Sequence, residues 1–306
     1  MSNRAKNRRA GARAAPALLC LAVCAATAGP VRAQEILWSD EFDSGSVPDP
    51  VAWSFDLGDW GWGNRELQDY TSSSDNVRVE DGNLVFTARA VFDDEAAPRF
   101  TSGRLNTRDK LTFRYGTVEA RIRVPDLADG LWPAFWTLGN NHAEVGWPRC
   151  GELDIMEMGH SDAIAAGTVN RRVGSAAHWD NAGARATYGD HRDQPQDLDG
   201  EYHLFSMDWT PERVTTYVDG KQVWSFSIGP DSCVDCTEFH QPHFLILNLA
   251  VGGNYTGRFG PDEITAPLPA EMHVDYVRIL DNGHTELGGS AAPVSRAGRT
   301  SAAVDQ

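Results

Sequence analysis

The segment Gly151-Glu-Leu-Asp-Ile-Met-Glu-Met-Gly159 places three carboxylates, those of Glu152, Asp154 and Glu157, in an otherwise apolar run. Burying an unpaired charge is costly, so three acids in such a run indicate a functional site. Side chains at i and i+2 of a strand share a face, which joins Glu152 to Asp154 but turns Glu157 away. A β-bulge at Ile155-Met156 would return Glu157 to that face. We therefore predict a bulged strand that presents three acids in a row.

Such a row suits glycoside hydrolysis, which uses two carboxylates that flank a bound sugar. In a retaining enzyme the two groups lie about 5 to 5.5 Å apart, a spacing that one curved strand can supply. A third acid between them would help to keep one glutamate ionised and the other protonated. The alternative is an edge strand with solvated acids, but the neighbours Leu153, Ile155, Met156 and Met158 are apolar.

The chain resembles glycoside hydrolase family 16, and within it the laminarinase-like endo-1,3-β-glucanases. The family signature Glu-x-Asp-x-x-Glu is matched from Glu152 to Glu157. Other matching segments, spread over about residues 36 to 281, are Trp38–Phe42, Asn64–Thr71, Gly130–Trp136, Trp147–Gly151, His203–Trp224 and Phe244–Gly253. The resemblance implies that Glu152 is the nucleophile, that Glu157 is the acid/base and that Asp154 assists both.

The resemblance also implies the substrate, a β-1,3-linked glucan of the laminarin type, which the enzyme would cleave internally by double displacement. A mixed-linkage β-1,3/1,4-glucanase, an agarase or a transglycosylase of the same family remain alternatives. A non-catalytic glucan-binding protein is a further alternative. Relatives of that kind have lost the catalytic glutamates, whereas this chain keeps both.

An all-β fold is predicted by short runs of β-branched and aromatic residues between turns. Asp219-Gly220 is a strong hairpin signal. With the resemblance, this pattern predicts a two-sheet jelly-roll (concanavalin A-like) sandwich with a concave substrate cleft. The clearest strand segments are 83–89, 115–124, 203–209, 214–218 and 272–279.

Substrate-binding residues are predicted from sugar chemistry and from the resemblance. Sugar rings stack on aromatic faces, and tryptophans 132, 136 and 147 lie close before the acidic strand. The resemblance adds Asn64, Glu66, Arg104, His178 and Asn248 as groups that reach the sugar or the acids. Trp60 and Trp62 are interpreted as cleft-wall residues, and Trp53, Trp209 and Trp224 are assigned to the core or to no nameable role.

One segment departs from the laminarinase pattern. Many laminarinases carry Gly-Thr-x-His after the catalytic strand, whereas this chain has Gly167-Thr-Val-Asn170. The difference leaves the sugar contacts on one side of the cleavage point open, and with them the linkage that is cleaved.

The first 33 residues have the features of a signal peptide. They hold six basic and no acidic residues, an apolar stretch from Ala14 to Ala28, and the small-x-small pattern Val31-Arg32-Ala33. A membrane anchor is the competing interpretation, but it needs about 20 continuous apolar residues. We expect a signal peptide at 1–33, a catalytic domain at 34–283 and a flexible tail at 284–306, in a secreted (extracellular or periplasmic) protein.

Charge limits the partners. Six of the 27 basic residues lie in the leader, so 21 remain against 43 acidic residues, a formal charge of −22. Such a surface would repel nucleic acid and anionic membranes, and it favours a neutral glucan over a sulfated one. Acidity that serves solubility alone is an equal alternative. We expect a monomer that binds neither nucleic acid nor membrane.

Metals and cysteines give two further expectations. The resemblance implies a structural calcium ion held by Glu41, the carbonyl of Gly82 and Asp275, oxygen ligands that suit calcium. Cys233 and Cys236 have the spacing of a small-loop disulfide, which would leave Cys150 as a buried thiol. A zinc site that adds His240 and His243 is the weaker alternative.

Overall fold

The computed structural model describes Met1, residues 34–92 and residues 97–291. The predicted signal peptide, apart from Met1, lies outside the described residues and stays a prediction. No helix within the described ranges is both long and apolar enough to cross a membrane.

The described ranges form nineteen β-strands and two short α-helices. The strands are β1 (Ile36–Asp40), β2 (Ser54–Phe55), β3 (Gln68–Tyr70), β4 (Val77–Glu80), β5 (Asn83–Val91), β6 (Arg99–Ser102), β7 (Arg104–Asn106), β8 (Thr112–Arg114), β9 (Gly116–Arg123), β10 (Leu131–Gly139), β11 (Glu152–Glu157), β12 (Arg172–Asn181), β13 (Ala184–Asp193), β14 (His203–Trp209), β15 (Arg213–Val218), β16 (Lys221–Ser227), β17 (His243–Val251), β18 (Ala270–Leu280) and β19 (Glu286–Gly288). The helices are α1 (His142–Val145) and α2 (Ser161–Ala166), and short 3-10 turns lie at Gly61–Gly63, Thr237–His240 and Pro261–Glu263.

The strands make two sheets. One runs in the order β16-β15-β14-β9-β18-β5-β6-β3, with β1 paired to β18 and β4 to β5. The other runs β13-β12-β11-β10-β17-β7-β2, with β8 paired to β17 and β19. Neighbours are antiparallel except β3 and β6. The predicted two-sheet sandwich is confirmed.

An apolar core forms from the facing sides of the sheets. Phe86 of one sheet and Phe135 of the other are fully buried members of one cluster, together with Trp209. Each such aromatic side chain stabilises the fold by about 1.5–3 kcal/mol through burial. Trp53, Trp209 and Trp224 are all buried in this core, so their assignment is confirmed.

The predicted strand segments coincide with β5, β9, β14, β15 and β18, and only the segment 115–124 extends beyond its strand, by one residue at each end. The hairpin prediction at Asp219-Gly220 is confirmed as well, since these two residues alone join β15 to β16. Both have positive φ, 49° and 73°, as a turn that follows strand twist requires.

The start of the predicted tail differs from expectation. Glu286–Gly288 form β19 and pair with β8, and the amide of Ala291 donates to the carbonyl of Lys110. Arg114 also forms an ion pair with Glu286. Composition alone missed this strand because its pairing depends on a distant partner. Residues 292–306 lie outside the described part of the chain.

Cys233 and Cys236 form a disulfide with a Cα–Cα distance of 5.5 Å, and Cys150 is a buried free thiol. The histidines of the zinc alternative are engaged elsewhere. His240 contacts the Tyr115 hydroxyl and a backbone carbonyl, and His243 contacts the Thr137 hydroxyl and a backbone carbonyl. The zinc alternative at these residues therefore finds no support.

Candidate active site

A β-bulge interrupts β11 at the predicted place. Across the pair with β10, Phe135 lies opposite Met156 and Trp136 opposite Asp154, so Ile155 is the extra residue. The carbonyl that the bulge frees is not left unpaired, because the Ser175 hydroxyl donates to the oxygen of Ile155 at 2.9 Å. The bulge prediction is confirmed, and Ser175 is a supporting residue that the sequence did not single out.

The bulge brings the three acids to one face. Glu152, Asp154 and Glu157 lie opposite Leu138, Trp136 and Ala134 of β10, which alternate along one side of that strand. On the other flank they lie near His178, Ala176 and Gly174 of β12, again alternate residues. Both neighbouring strands therefore assign the acids to a single face.

Burial controls the protonation of these acids. The pKa values of Glu152, Asp154 and Glu157 are each raised to about 8, chiefly by burial, and for the two glutamates the charge of Asp154 contributes to that value. Three like charges in one buried site cannot all ionise, so the trio retains a proton at neutral pH. The site can thus hold a proton donor beside an ionised carboxylate.

Two tryptophan indoles donate to the outer acids. The Nε1 of Trp132 donates to Glu157 at 2.9 Å, and the Nε1 of Trp147 donates to Glu152 at 3.1 Å. A hydrogen bond fixes the rotamer of each glutamate and favours its ionised form. Two of the three predicted tryptophan platforms therefore contact the acids directly.

His178, on β12, contacts two of the three acids. Its Nε2 is 3.2 Å from Asp154 Oδ2 and 3.6 Å from Glu152 Oε1, and its Nδ1 is 2.8 Å from the Thr187 hydroxyl. When protonated, this imidazole would stabilise the carboxylates. Thr187 on β13 holds the ring in this orientation.

The third tryptophan, Trp136, is held by a chain of hydrogen bonds. Its Nε1 donates to Asn248 Oδ1 at 2.8 Å, and Asn248 Nδ2 lies 3.2 Å from the Tyr70 hydroxyl. Tyr70 in turn donates to Glu66 at 3.1 Å. Asn248 therefore faces the same side of the sheet as the acids, as predicted, and orients an aromatic ring there.

Glu66 is placed deeper than the sequence predicted. It is 7 % exposed, and its carboxylate accepts from Asn64, Gln68 and Tyr70. Burial raises its pKa, and Arg104 opposes that effect. The carboxylate of Glu66 is therefore hydrogen-bonded within the protein, and it orients the side chains of Tyr70 and Asn64.

Arg104 lies between two tryptophan rings. Its guanidinium is 4.6 Å from the ring centre of Trp62 and 4.8 Å from that of Trp136, and it forms an ion pair with Asp56 at 3.0 Å. Trp60 packs against Trp62 with ring centres 4.5 Å apart and the ring planes tilted by 37°, and it is 65 % exposed. These residues make an aromatic wall on the β10-β17-β7 side of the acids.

A second wall lies near Glu157, built from residues that sequence reasoning missed. Tyr255 stacks on Trp132 at 4.9 Å, and its hydroxyl contacts the Glu157 carbonyl and His191. His160 packs against His191 at 4.4 Å. The position of Tyr255 directly after the matching segment Phe244–Gly253 was the available signal.

Small residues lie beside the acids on β12 and β13. Gly174 and Ala176 occupy the face of β12 beside the acids, and Gly189 lies opposite Ala176 on β13. A Cβ on Gly189 would come within 2.8 Å of the Ala176 side chain. A Cβ on Gly174 would come within 2.6 Å of the Tyr255 hydroxyl and within 2.8 Å of the His191 ring, so these small residues let neighbouring side chains pack closely onto β12.

The segment Gly167–Asn170, which departs from the laminarinase pattern, makes structural hydrogen bonds. Asn170 accepts from the Leu127 amide at 2.9 Å and donates to Asp126 at 2.8 Å. It follows α2 and ties the loop to the segment that precedes β10. Asn170 stands where many laminarinases have the histidine of Gly-Thr-x-His, and its side chain is hydrogen-bonded to Leu127 and Asp126 of this protein.

The predicted calcium ligands do not form an open oxygen cluster. Glu41 accepts from Arg278 at 2.8 and 2.9 Å, Asp275 accepts from Arg121 at 2.7 Å, and Gly82 lies in the β4-β5 turn. Calcium would have to displace both guanidinium groups, so this arrangement does not fit the predicted set. The calcium site stays a prediction.

Comparison with known proteins shows the family of this chain. The model of the glycosyl hydrolases family 16 matches residues 64–277. A glucan endo-1,3-beta-glucosidase of Cryptopygus antarcticus is 38% identical over 85% of this chain and 96% of its own length. Glucan endo-1,3-beta-glucosidase A1 of Niallia circulans is 34% identical over 81% of this chain, which spans 38% of that longer protein.

A solved structure is similar over most of this chain. The mixed linkage glucan family 16 protein of Bacteroides ovatus, in complex with its product, superposes with a TM-score of 0.70 at 34% identity. The match covers 79% of this chain and 99% of that one.

Proposed function

Since this chain belongs to the glycosyl hydrolases family 16, we propose that it is an endo-acting β-1,3-glucanase that cleaves laminarin-type glucans with retention of configuration. The observation that carries the proposal is the set of three buried acids on one face of a bulged strand. Enzymes of Cryptopygus antarcticus and Niallia circulans named for β-1,3-glucan cleavage support the substrate class.

In the proposed first step Glu157 is the general acid. Burial raises its pKa to about 8, as it does for Glu152 and Asp154, so the trio retains a proton, and the match to the family signature assigns that proton to Glu157. It donates that proton to the glycosidic oxygen while the Glu152 carboxylate attacks the anomeric carbon. The C–O bond breaks, and a glycosyl ester forms on Glu152. The Trp147 indole, which donates to Glu152, favours the ionised form of that carboxylate.

In the second step Glu157, now a carboxylate, removes a proton from water. The water attacks the anomeric carbon and releases Glu152. Asp154 lies between the two glutamates in the row and couples their protonation, because its charge raises the pKa of each. Two inversions at one carbon give net retention.

Internal cleavage is supported by the position of β11. Strands β12 and β13 lie on one side of it, and β10, β17, β7 and β2 lie on the other. The acids therefore have sheet surface on both sides along which sugar units of a polymer can lie. Trp60 and Trp62 on one side and the Trp132–Tyr255 stack near Glu157 offer aromatic surfaces for them.

A mixed-linkage glucan is the second candidate substrate, favoured by the similarity to the Bacteroides ovatus structure. Initial rates of reducing-end release on laminarin, lichenan, agarose, carrageenan and xyloglucan test the choice. We expect laminarin to be hydrolysed fastest. A higher rate on lichenan would move the proposal to the second candidate, and absence of activity on both glucans would overturn it.

Secretion and a monomeric state belong to the same proposal. The leader pattern at 1–33 and the Cys233–Cys236 disulfide support an oxidising compartment. N-terminal sequencing of the exported protein should begin at Gln34. A cytoplasmic protein with an intact leader would contradict this part.

A further inference from the structure

The cluster of Glu152, Asp154 and His178 has the composition of a metal site as well as that of a catalytic one. One ligand atom from each residue can be chosen so that all three lie within 4.8 Å of one another. His178 Nε2 lies 3.2 Å from Asp154 Oδ2 and 3.6 Å from Glu152 Oε1. A tetrahedral ion with bonds of about 2.0 Å needs ligand atoms about 3.3 Å apart, so both distances fit.

A second observation favours cation binding at this cluster. Asp154 is 4 % exposed, and its Oδ2 has no aligned hydrogen-bond partner among the described residues. A buried carboxylate oxygen without a partner is costly. This oxygen points toward His178 Nε2, which is also free to bind because Thr187 engages Nδ1. Two electron-rich atoms 3.2 Å apart require a proton or a metal ion between them.

We propose that Glu152, Asp154 and His178 reversibly bind one divalent transition-metal ion of the zinc class, and that this ion inhibits the enzyme. Two carboxylates and a neutral imidazole balance the charge of the ion. The fourth position would face the cleft and take water. The ion would hold Glu152 Oε1, and a carboxylate bound to the metal could not attack the sugar. The inhibition rests on the proposed function, whereas the binding does not.

The ligand types select the metal. Calcium and magnesium prefer oxygen ligands throughout, whereas imidazole with carboxylates suits zinc. Thr187 is the outer partner that orients the imidazole, a contact that metal-binding histidines regularly have. A competing histidine pair, His160 and His191, lies near Glu157 with ring centres 4.4 Å apart and provides a control.

Binding is tested by isothermal titration of the metal-free protein with zinc chloride. The wild type should bind one ion. His178→Gln should weaken binding by at least about 100-fold, and Thr187→Val by about 10-fold, because outer partners contribute less than ligands. Asp154→Asn, which keeps the side-chain shape, should also weaken it strongly. The double variant His160→Gln/His191→Gln and the thiol variant Cys150→Ser should bind as the wild type does.

Each outcome separates binding from activity. At a free zinc concentration tenfold above the dissociation constant, laminarin hydrolysis by the wild type should fall to about a tenth and recover on dialysis against chelator. Binding with no glucanase activity would leave the metal site standing and overturn the proposed function. Activity with no zinc binding, or full binding by the folded His178→Gln and Asp154→Asn variants, would overturn the metal site. Circular dichroism establishes that the variants are folded.

Discussion

Replacing Asp154 by asparagine should make the protein more stable at neutral pH while it impairs catalysis. Asparagine has the same shape but does not ionise. In the native state the pKa of Asp154 is raised from 3.8 to about 8, chiefly because burial disfavours the charged form. The unfolded chain releases this proton near the ordinary pKa, so the folded state is the form that binds it more tightly.

The sign of the effect follows from that difference. A raised carboxyl pKa contributes stability that is complete below the unfolded pKa and is lost as the pH rises toward the native pKa of about 8. The free energy of unfolding should fall by about 1.4 kcal/mol per pH unit in that window, or about 3 kcal/mol from about pH 5 to about pH 7. Asp154→Asn removes this loss, and it also removes the charge that raises the pKa of Glu152 and Glu157.

Urea unfolding followed by tryptophan fluorescence measures the effect at both pH values. The stability of the variant relative to the wild type should improve by about 3 kcal/mol between about pH 5 and about pH 7, equivalent to about 5–10 °C in melting temperature. Asp69→Asn, which changes an exposed acid on β3, is the control, and its free energy of unfolding should differ from that of the wild type by the same amount at both pH values. If Asp154→Asn changes stability by the same amount at both pH values, the trio is not the buried, proton-sharing group described above.

Three further predictions concern catalysis and calcium. Trp132→Phe removes the hydrogen bond that lowers the pKa of Glu157. The alkaline limb of the pH profile of kcat/KM should therefore move upward by as much as about one pH unit. An unchanged limb would show that Glu157 is not the acid. Proton NMR of the first product should show the β-anomer before mutarotation, and an initial α-anomer would exclude double displacement. If calcium binds at Glu41 and Asp275, chelator should lower the wild-type melting temperature by several degrees, because a ligand at hundredfold excess over its dissociation constant stabilises the native state by about 2.7 kcal/mol. Chelator should leave the melting temperature of Asp275→Ala unchanged. Equal melting with and without chelator would remove the calcium prediction, and a chelator effect retained by Asp275→Ala would indicate the ion at His178 instead.

The sequence sufficed for features that depend on local periodicity. The three acids required an extra residue to share a face, and the bulge at Ile155 supplies it. The turn at Asp219-Gly220 followed from the conformations that those residues tolerate. The five segments with alternating or continuous β-branched and aromatic residues coincide with strands.

Features that depend on pairing between distant segments were not predictable in the same way. Ser175 supports the bulge, and Tyr70 orients Asn248, through contacts between strands far apart in sequence. The interior position of Glu66 likewise depends on donors that fold around it. β19 falls inside the predicted flexible tail because a three-residue exposed strand carries almost no sequence pattern of its own.

The most direct test of the central claim is the anomeric configuration of azide products. With an activated aryl β-glucoside oligomer, Glu152→Ala should be inactive alone and should form the α-glycosyl azide when azide is added, because azide enters on the face that the nucleophile has vacated. Glu157→Ala should instead form the β-glycosyl azide, because azide attacks the intermediate on Glu152. The opposite assignment of products, or no azide adduct from either variant, would contradict the roles proposed for Glu152 and Glu157.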